Sequence, residues 1–177
     1  SKNVFVFFVR GNHDDPAYFS KKAILDADFP NIKLVSDYSV IETGAGNVLC
    51  VGGAVSIDRT ARVPDESYWY GEECIYDETA INDLKSKIDV VVTHTAPDYA
   101  KPFTKIGISG WVTYDKHLSS DCLVERGVMN NIYQQLKKNK HAIKYWCYGH
   151  FHMSHQIDYE NTRFICCNEL EFIELNI

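Results

Sequence analysis

Val4-Phe5-Val6-Phe7-Phe8-Val9-Arg10-Gly11-Asn12-His13-Asp14 sets the terms for the rest of the chain. Residues 4–9 are β-branched or aromatic with no polar alternation, which predicts a strand buried on both faces beneath helices. The strand runs into a polar cluster. Asp15-Pro16 then offers an N-cap and a first helical residue, predicting a helix to about Asp26. The same pattern recurs downstream: Asp89–Thr93 is an apolar run ending at His94, and Ile143–Tyr148 ends at Gly149-His150-Phe151-His152. Parallel strands would bring the three clusters side by side at their carboxyl ends, where open α/β sheets bind ligands.

The 177 residues fit a single domain, 1–177, with a core of its own. Hydrophobic residues are 45% and charged residues 24%, which excludes wholesale disorder and low-complexity architecture. A net charge of −6 gives no diffuse attraction for nucleic acid, so no extended nucleic-acid surface is expected. The apolar run at 4–9 is far shorter than the about 20 residues of a membrane helix, and no basic region precedes it. Neither a membrane partner nor a signal peptide is expected. Cys50, Cys74, Cys122, Cys147, Cys166 and Cys167 form no C-x-x-C pair, which predicts reduced, mostly buried thiols in a cytoplasmic protein.

Short strands are expected at 32–35, 38–42 and 47–54, with Gly44–Asn47 as a hairpin turn. The stretch 56–73 has no period and reads as a long, functional loop. A helix returns near Asp77, carrying Ile81, Leu84 and Ile88. The clearest helix is 121–139, where Val124, Val128, Ile132 and Leu136 recur every four residues. Runs at 156–159, 163–167 and 172–175 close the chain as strands, with a tight turn at Tyr159–Thr162.

Histidine is the commonest protein metal ligand and asparagine supplies a neutral oxygen. The three clusters together therefore point to an ion site. In this order, GNHD (11–14), VVTHTAP (91–97) and GHFH (149–152) resemble the C-terminal run of motifs in the calcineurin-like metallophosphoesterases. GGAVSIDR (52–59), followed by Trp69-Tyr70-Gly71-Glu72-Glu73, resembles a subset of bacterial and phage members.

The resemblance implies an α/β fold, a two-sheet β-sandwich flanked by helices. It also implies metal-dependent hydrolysis of phosphoesters at a dinuclear centre. Asn12, His94 and His150 match ligands of one ion, and His152 matches a ligand of the other. His13 matches the histidine that meets the scissile phosphate and protonates the leaving group, and Asp14 the acid that orients it. A carboxylate beside His13 would also favour its imidazolium. Two divalent ions (Mn, Fe, Zn or Ni) are implied, with a phosphorylated small molecule, a nucleotide or a phosphoprotein as substrate. Arg59, ahead of Arg62, is the candidate for gripping phosphate oxygens.

The family pattern also carries D-x-H after a first strand and G-D after a second, both ahead of GNH. Here GNHD begins at residue 11, so neither motif stands in its usual place, nor does the carboxylate that bridges the ions. Asp115-Lys116-His117 has the D-x-H spelling but follows a loop. The expectation is an N-terminally truncated domain lacking its first strands. The apolar faces and edge of 4–9 would then be exposed unless a second copy covers them. The competing functions are a non-catalytic phosphoesterase-like scaffold, a fragment with no activity of its own, and a mononuclear zinc hydrolase.

Overall fold

The structure, a computed structural model, describes residues 4–20, 29–102 and 108–177. Val6–Val9 (β1) and Ile32–Val35 (β2) pair in parallel as a two-stranded sheet. Helix α1, Pro16–Ser20, lies between them, and the rest of the helix expected to Asp26 falls outside the described residues. A second, six-stranded sheet contains β3 (Ser39–Glu42), β4 (Asn47–Val51), β5 (Val90–Thr93), β6 (Tyr145–Tyr148), β7 (His155–Tyr159) and β8 (Thr162–Cys166). Its order is β3-β4-β5-β6-β8-β7, with the four inner strands parallel and the two edges antiparallel. The mixed α/β architecture with two sheets is the one the sequence predicts.

Local chemistry accounts for the boundaries. Thr43 closes the β3–β4 hairpin, its backbone N–H and its hydroxyl both donating to the Gly46 carbonyl. Asp77 caps the short helix α2 (Glu78–Asn82) by accepting the Ala80 amide at 2.8 Å. The β7–β8 turn places Glu160 at φ +51. Helix α3, Leu118–Lys138, lays Met129, Ile132, Tyr133 and Leu136 onto Leu49, Val91, Trp146 and Phe164 of the large sheet. Within this core Trp146 donates its indole N–H to the Thr93 hydroxyl at 2.8 Å.

Three expectations are corrected. The run 4–9 is not buried on both faces: Phe7 and Phe8, which face opposite ways along β1, are each 45% exposed. Among the described residues β1 has a single ladder partner, β2, and its helix contact is Phe19 of α1, whose ring lies 6.1 Å from that of Phe8. Second, the buried stripe of α3 is not the strict fourfold series. Val124 is 65% exposed and Glu125 is buried, because a helix turns 3.6 residues per turn and a four-residue spacing drifts off the core face. Third, 172–175 forms no strand. Phe172 is 95% exposed, off any sheet face, and farther along the tail the Tyr145 hydroxyl donates to the Asn176 carbonyl.

All six cysteines are free thiols. Among the described residues no helix is long and apolar enough to cross a membrane.

The helix register gives a direct test. Leu136→Ala should cost about 2–5 kcal/mol in urea unfolding, the loss expected for a fully buried leucine. Val124→Ala, on the outer face, should stay within about 0.5 kcal/mol.

Candidate active site

The parallel pairing of β5 and β6 fixes the floor of the site. Val92 is in register with Cys147, so His94 and His150 leave the sheet at the same end. The Gly149 amide donates to the His94 carbonyl at 3.1 Å and extends the ladder by one step. The two rings meet edge to face with centroids 5.1 Å apart. His150 and His152 both take left-handed backbone, at φ +68 and +50, a conformation costly for residues with a Cβ and often met at functional sites.

The small sheet delivers the third cluster. Arg10, at the end of β1, is buried and tied to Asp37 (2.9 and 3.2 Å) and to the Glu72 and Glu73 carbonyls (2.8 and 3.0 Å). Its own carbonyl accepts the Gly53 amide at 2.9 Å. Gly11 then lies flat against the His94 ring, where a Cβ would come within 2.9 Å of Cε1. This close approach needs glycine. Next to it, Asn12 is buried, with its Oδ1 2.9 Å from His94 Nε2 and its amide donating to Ser56 Oγ at 2.9 Å.

Asn12, His94 and His150 thus come together from three strand ends. Burial pushes His94 down to about 4, and the nearby His13 and His152 add to it. His150 lies well below its ordinary value, from burial first and His94 next. Both imidazoles are therefore neutral at pH 7, the form that binds a metal.

Helix α3 braces this end of the sheet with Glu125 and Arg126, neither anticipated from the sequence. Glu125 accepts the Thr95 hydroxyl at 2.9 Å and also the Val55 amide. Arg126 pairs with Glu125, donates to Thr95 Oγ1 (2.6 Å) and the Ala96 carbonyl (2.7 Å), and lies over the Phe151 ring at 5.0 Å. The segments following His94 and His150 are thereby held by one pair of residues. A buried glutamate at a core-face position of an amphipathic helix was the available signal.

The remaining candidates separate. His13 is exposed, and its Nε2 lies 2.6 Å from an Arg62 guanidinium nitrogen. Its pKa is lowered, by burial first and Arg62 next, against the opposing pull of Asp58 and Asp14. The expected bias toward imidazolium is therefore reversed. Asp14 accepts the Gly11 amide at 2.6 Å, closing the turn that carries Asn12 and His13. Arg62 also donates to Ser56 Oγ (3.1 Å) and pairs with Asp58 (2.6 Å).

Arg59 is held elsewhere, between Asp115 (2.6 Å) and Asp121 (2.5 Å), and straps the 56–73 loop to α3. Asp115 also accepts the His117 amide at 3.0 Å, so the D-x-H spelling there serves a helix start. His152 is exposed, with Nδ1 3.0 Å from Glu169 Oε1. Ser56 and Glu72, which complete the surroundings of Asn12, lie inside the GGAVSIDR and Trp69–Glu73 segments but were not singled out there.

A family model for the calcineurin-like phosphoesterases matches residues 2–154. The chain belongs to that family. No curated protein matches the sequence significantly.

Asn12 Oδ1, His94 Nε2 and the neutral His150 ring are adjacent and fit one divalent cation. The fit depends on the asparagine, since among the described residues no three His, Cys, Asp or Glu side chains converge. His152 and Glu169 make only a pair.

The buried histidine sets a pH dependence. His94 is lowered in the fold, so the unfolded chain takes up protons first on acidification. Stability of chelator-treated protein should be unaffected by His94 above pH 6.5 and decline as pH falls from 6.5 toward 4. The His94 share of that loss is about 3 kcal/mol, for a fall from 6.5 to about 4. Urea unfolding at pH 7.5 and 4.5 should show it, and His94→Gln should flatten the slope.

Proposed function

We propose that this chain hydrolyses phosphoesters in a metal-dependent reaction centred on Asn12, His94 and His150. The observation that supports this is the convergence of three strand-end clusters, distant in sequence, with buried neutral imidazoles facing an amide oxygen. A divalent cation held by Asn12, His94 and His150 would polarise phosphoryl oxygens and offset the charge of the transition state.

The chain's own residues carry the rest. Arg62 is the guanidinium beside His13, and its fork suits two oxygens of a phosphoryl group. An arriving phosphate draws Arg62 N–H groups to itself and releases Nε2 of His13. The freed Nε2, no longer beside the guanidinium charge, then takes up a proton from solvent and passes it to the leaving oxygen. Asp14 keeps the turn closed so that Asn12 and His13 stay on their respective partners. Arg59 serves the site by fixing the loop that presents Ser56 and Arg62. The substrate class is a phosphomonoester, phosphodiester or nucleotide.

A second reading, a metal- and phosphate-binding scaffold without turnover, is favoured by one observation. The donor expected for a second ion, His152, is engaged by Glu169.

Hydrolysis of p-nitrophenyl phosphate and bis(p-nitrophenyl) phosphate, with and without Mn²⁺, separates the two. Metal-dependent turnover that drops at least about 100-fold in His150→Ala is expected, as for loss of a positioned electrostatic catalyst. Mn²⁺ binding with no turnover would favour the scaffold. Arg62→Met should weaken inhibition by inorganic phosphate roughly tenfold or more, the size of a charged hydrogen bond. Arg59→Lys should leave phosphate inhibition within about threefold, since Arg59 faces Asp115 and Asp121.

A further inference from the structure

Ser56 and Glu72 are completely buried, and between them they decide which end of the Asn12 amide faces His94. Glu72 accepts twice from Ser56: Oε1 takes the backbone N–H at 2.7 Å and Oε2 takes the hydroxyl at 2.8 Å. The carboxylate itself is set by its backbone, whose carbonyl accepts Arg10 Nη1 (2.8 Å) and the Ala54 amide (3.1 Å). A serine hydroxyl has one proton and two lone pairs. Glu72 takes the proton, at 2.8 Å against 3.3 Å for the competing Asn12 carbonyl. Both lone pairs are then filled, by Asn12 Nδ2 at 2.9 Å and Arg62 Nη1 at 3.1 Å.

The consequence is directional. Having given up its proton, Ser56 Oγ can only accept, so Asn12 must present its NH₂ there and its oxygen to His94. Reversed, the amide would offer His94 and any cation two N–H groups in place of a lone pair. We infer that Glu72 is a positioning residue that, through Ser56, fixes Asn12 as an oxygen donor and holds Arg62 beside His13. The inference rests on the phosphoesterase reading for its purpose, although the hydrogen-bond direction stands apart from it. A carboxylate is required for the role. Glutamine has one acceptor end, so it leaves either the Ser56 N–H or the Ser56 hydroxyl facing an NH₂.

The direction can be read without activity. Without a cation, Asn12 Oδ1 can approach His94 Nε2 at 2.9 Å only if that nitrogen carries the proton; a cation bound at Nε2 would replace this hydrogen bond, with the ring proton moved to Nδ1. Two-bond ¹H–¹⁵N spectra of chelator-treated, ¹⁵N-labelled protein at pH 7.5, assigned with His94→Gln, report the tautomer. The parent should show His94 protonated at Nε2. Glu72→Gln should shift the population to Nδ1–H, and Ser56→Ala should abolish the preference. Mn²⁺ titration calorimetry should show affinity falling about 10- to 100-fold in both, the usual cost of losing an outer-shell partner. Ser56→Thr, which keeps the hydroxyl, should stay within about threefold.

An Nδ1–H His94 in the parent would overturn the inference, as would parental tautomer and parental Mn²⁺ affinity in Ser56→Ala. That variant, a small truncation, carries the test if Glu72→Gln does not fold. A switched tautomer with unchanged Mn²⁺ affinity would overturn the role assigned to the amide direction. Absence of Mn²⁺ binding by the parent would instead count against the phosphoesterase reading, leaving the tautomer to decide the hydrogen-bond direction.

Discussion

A carboxamide has two ends of nearly equal size and opposite hydrogen-bonding sense, and this site depends on the end of Asn12 that faces His94. Asn12 leaves the small sheet and His94 the large one, and among the described residues the two sheets share no strand ladder. Their junction is made of side chains and glycines: Arg10 on Asp37 and the Glu72 carbonyl, Gly53 on Arg10, and Gly11 flat against His94. A shift of one sheet against the other would move the amide off the histidine before it disturbed either core. Site geometry and sheet packing are therefore one constraint, which explains why so much buried polar chemistry collects along this seam.

The seam is also where burial is costly. Glu72, Glu125, Arg126, Arg10 and Ser56 are all withdrawn from water, and unpaired they would be strongly destabilising. Each has specific partners: Glu72 with two Ser56 donors, Glu125 with Thr95 and the Val55 amide, Arg126 with Glu125 and the Ala96 carbonyl. Arg126 Nε alone among these groups is left without a partner, and networks of this kind rarely exceed a hydrophobic core in stability. What they contribute is a single arrangement of the loops after β1, β5 and β6. Neutral, desolvated His94 and His150 follow from the same enclosure.

The inner strands and the three polar clusters were legible because β-branched runs ending in Gly, Asn and His carry their own signal. The hairpins and the helix start near Asp77 were legible for the same local reason. Other features depend on neighbours that a linear reading cannot see. Val4–Val9 has the composition of a covered strand, yet it has one ladder partner among the described residues. Phe172 and Leu175 look like strand residues, yet 172–175 pairs with no strand and Phe172 is left exposed. Arg59 and Arg62, three positions apart, have the same chemistry on paper. Only the fold assigns one to Asp115 and Asp121 and the other to His13. Ser56 and Glu72 carry no spacing that would mark them, since their pairing spans a loop without periodicity.

The account places one divalent cation among Asn12, His94 and His150. Anomalous diffraction at the manganese edge, from crystals of this chain soaked in Mn²⁺, tests that most directly. The account predicts a peak within bonding distance of Asn12 Oδ1, His94 Nε2 and a His150 ring nitrogen. A peak only at the His152–Glu169 pair, or none with both imidazoles neutral and accessible to the soak, would contradict it.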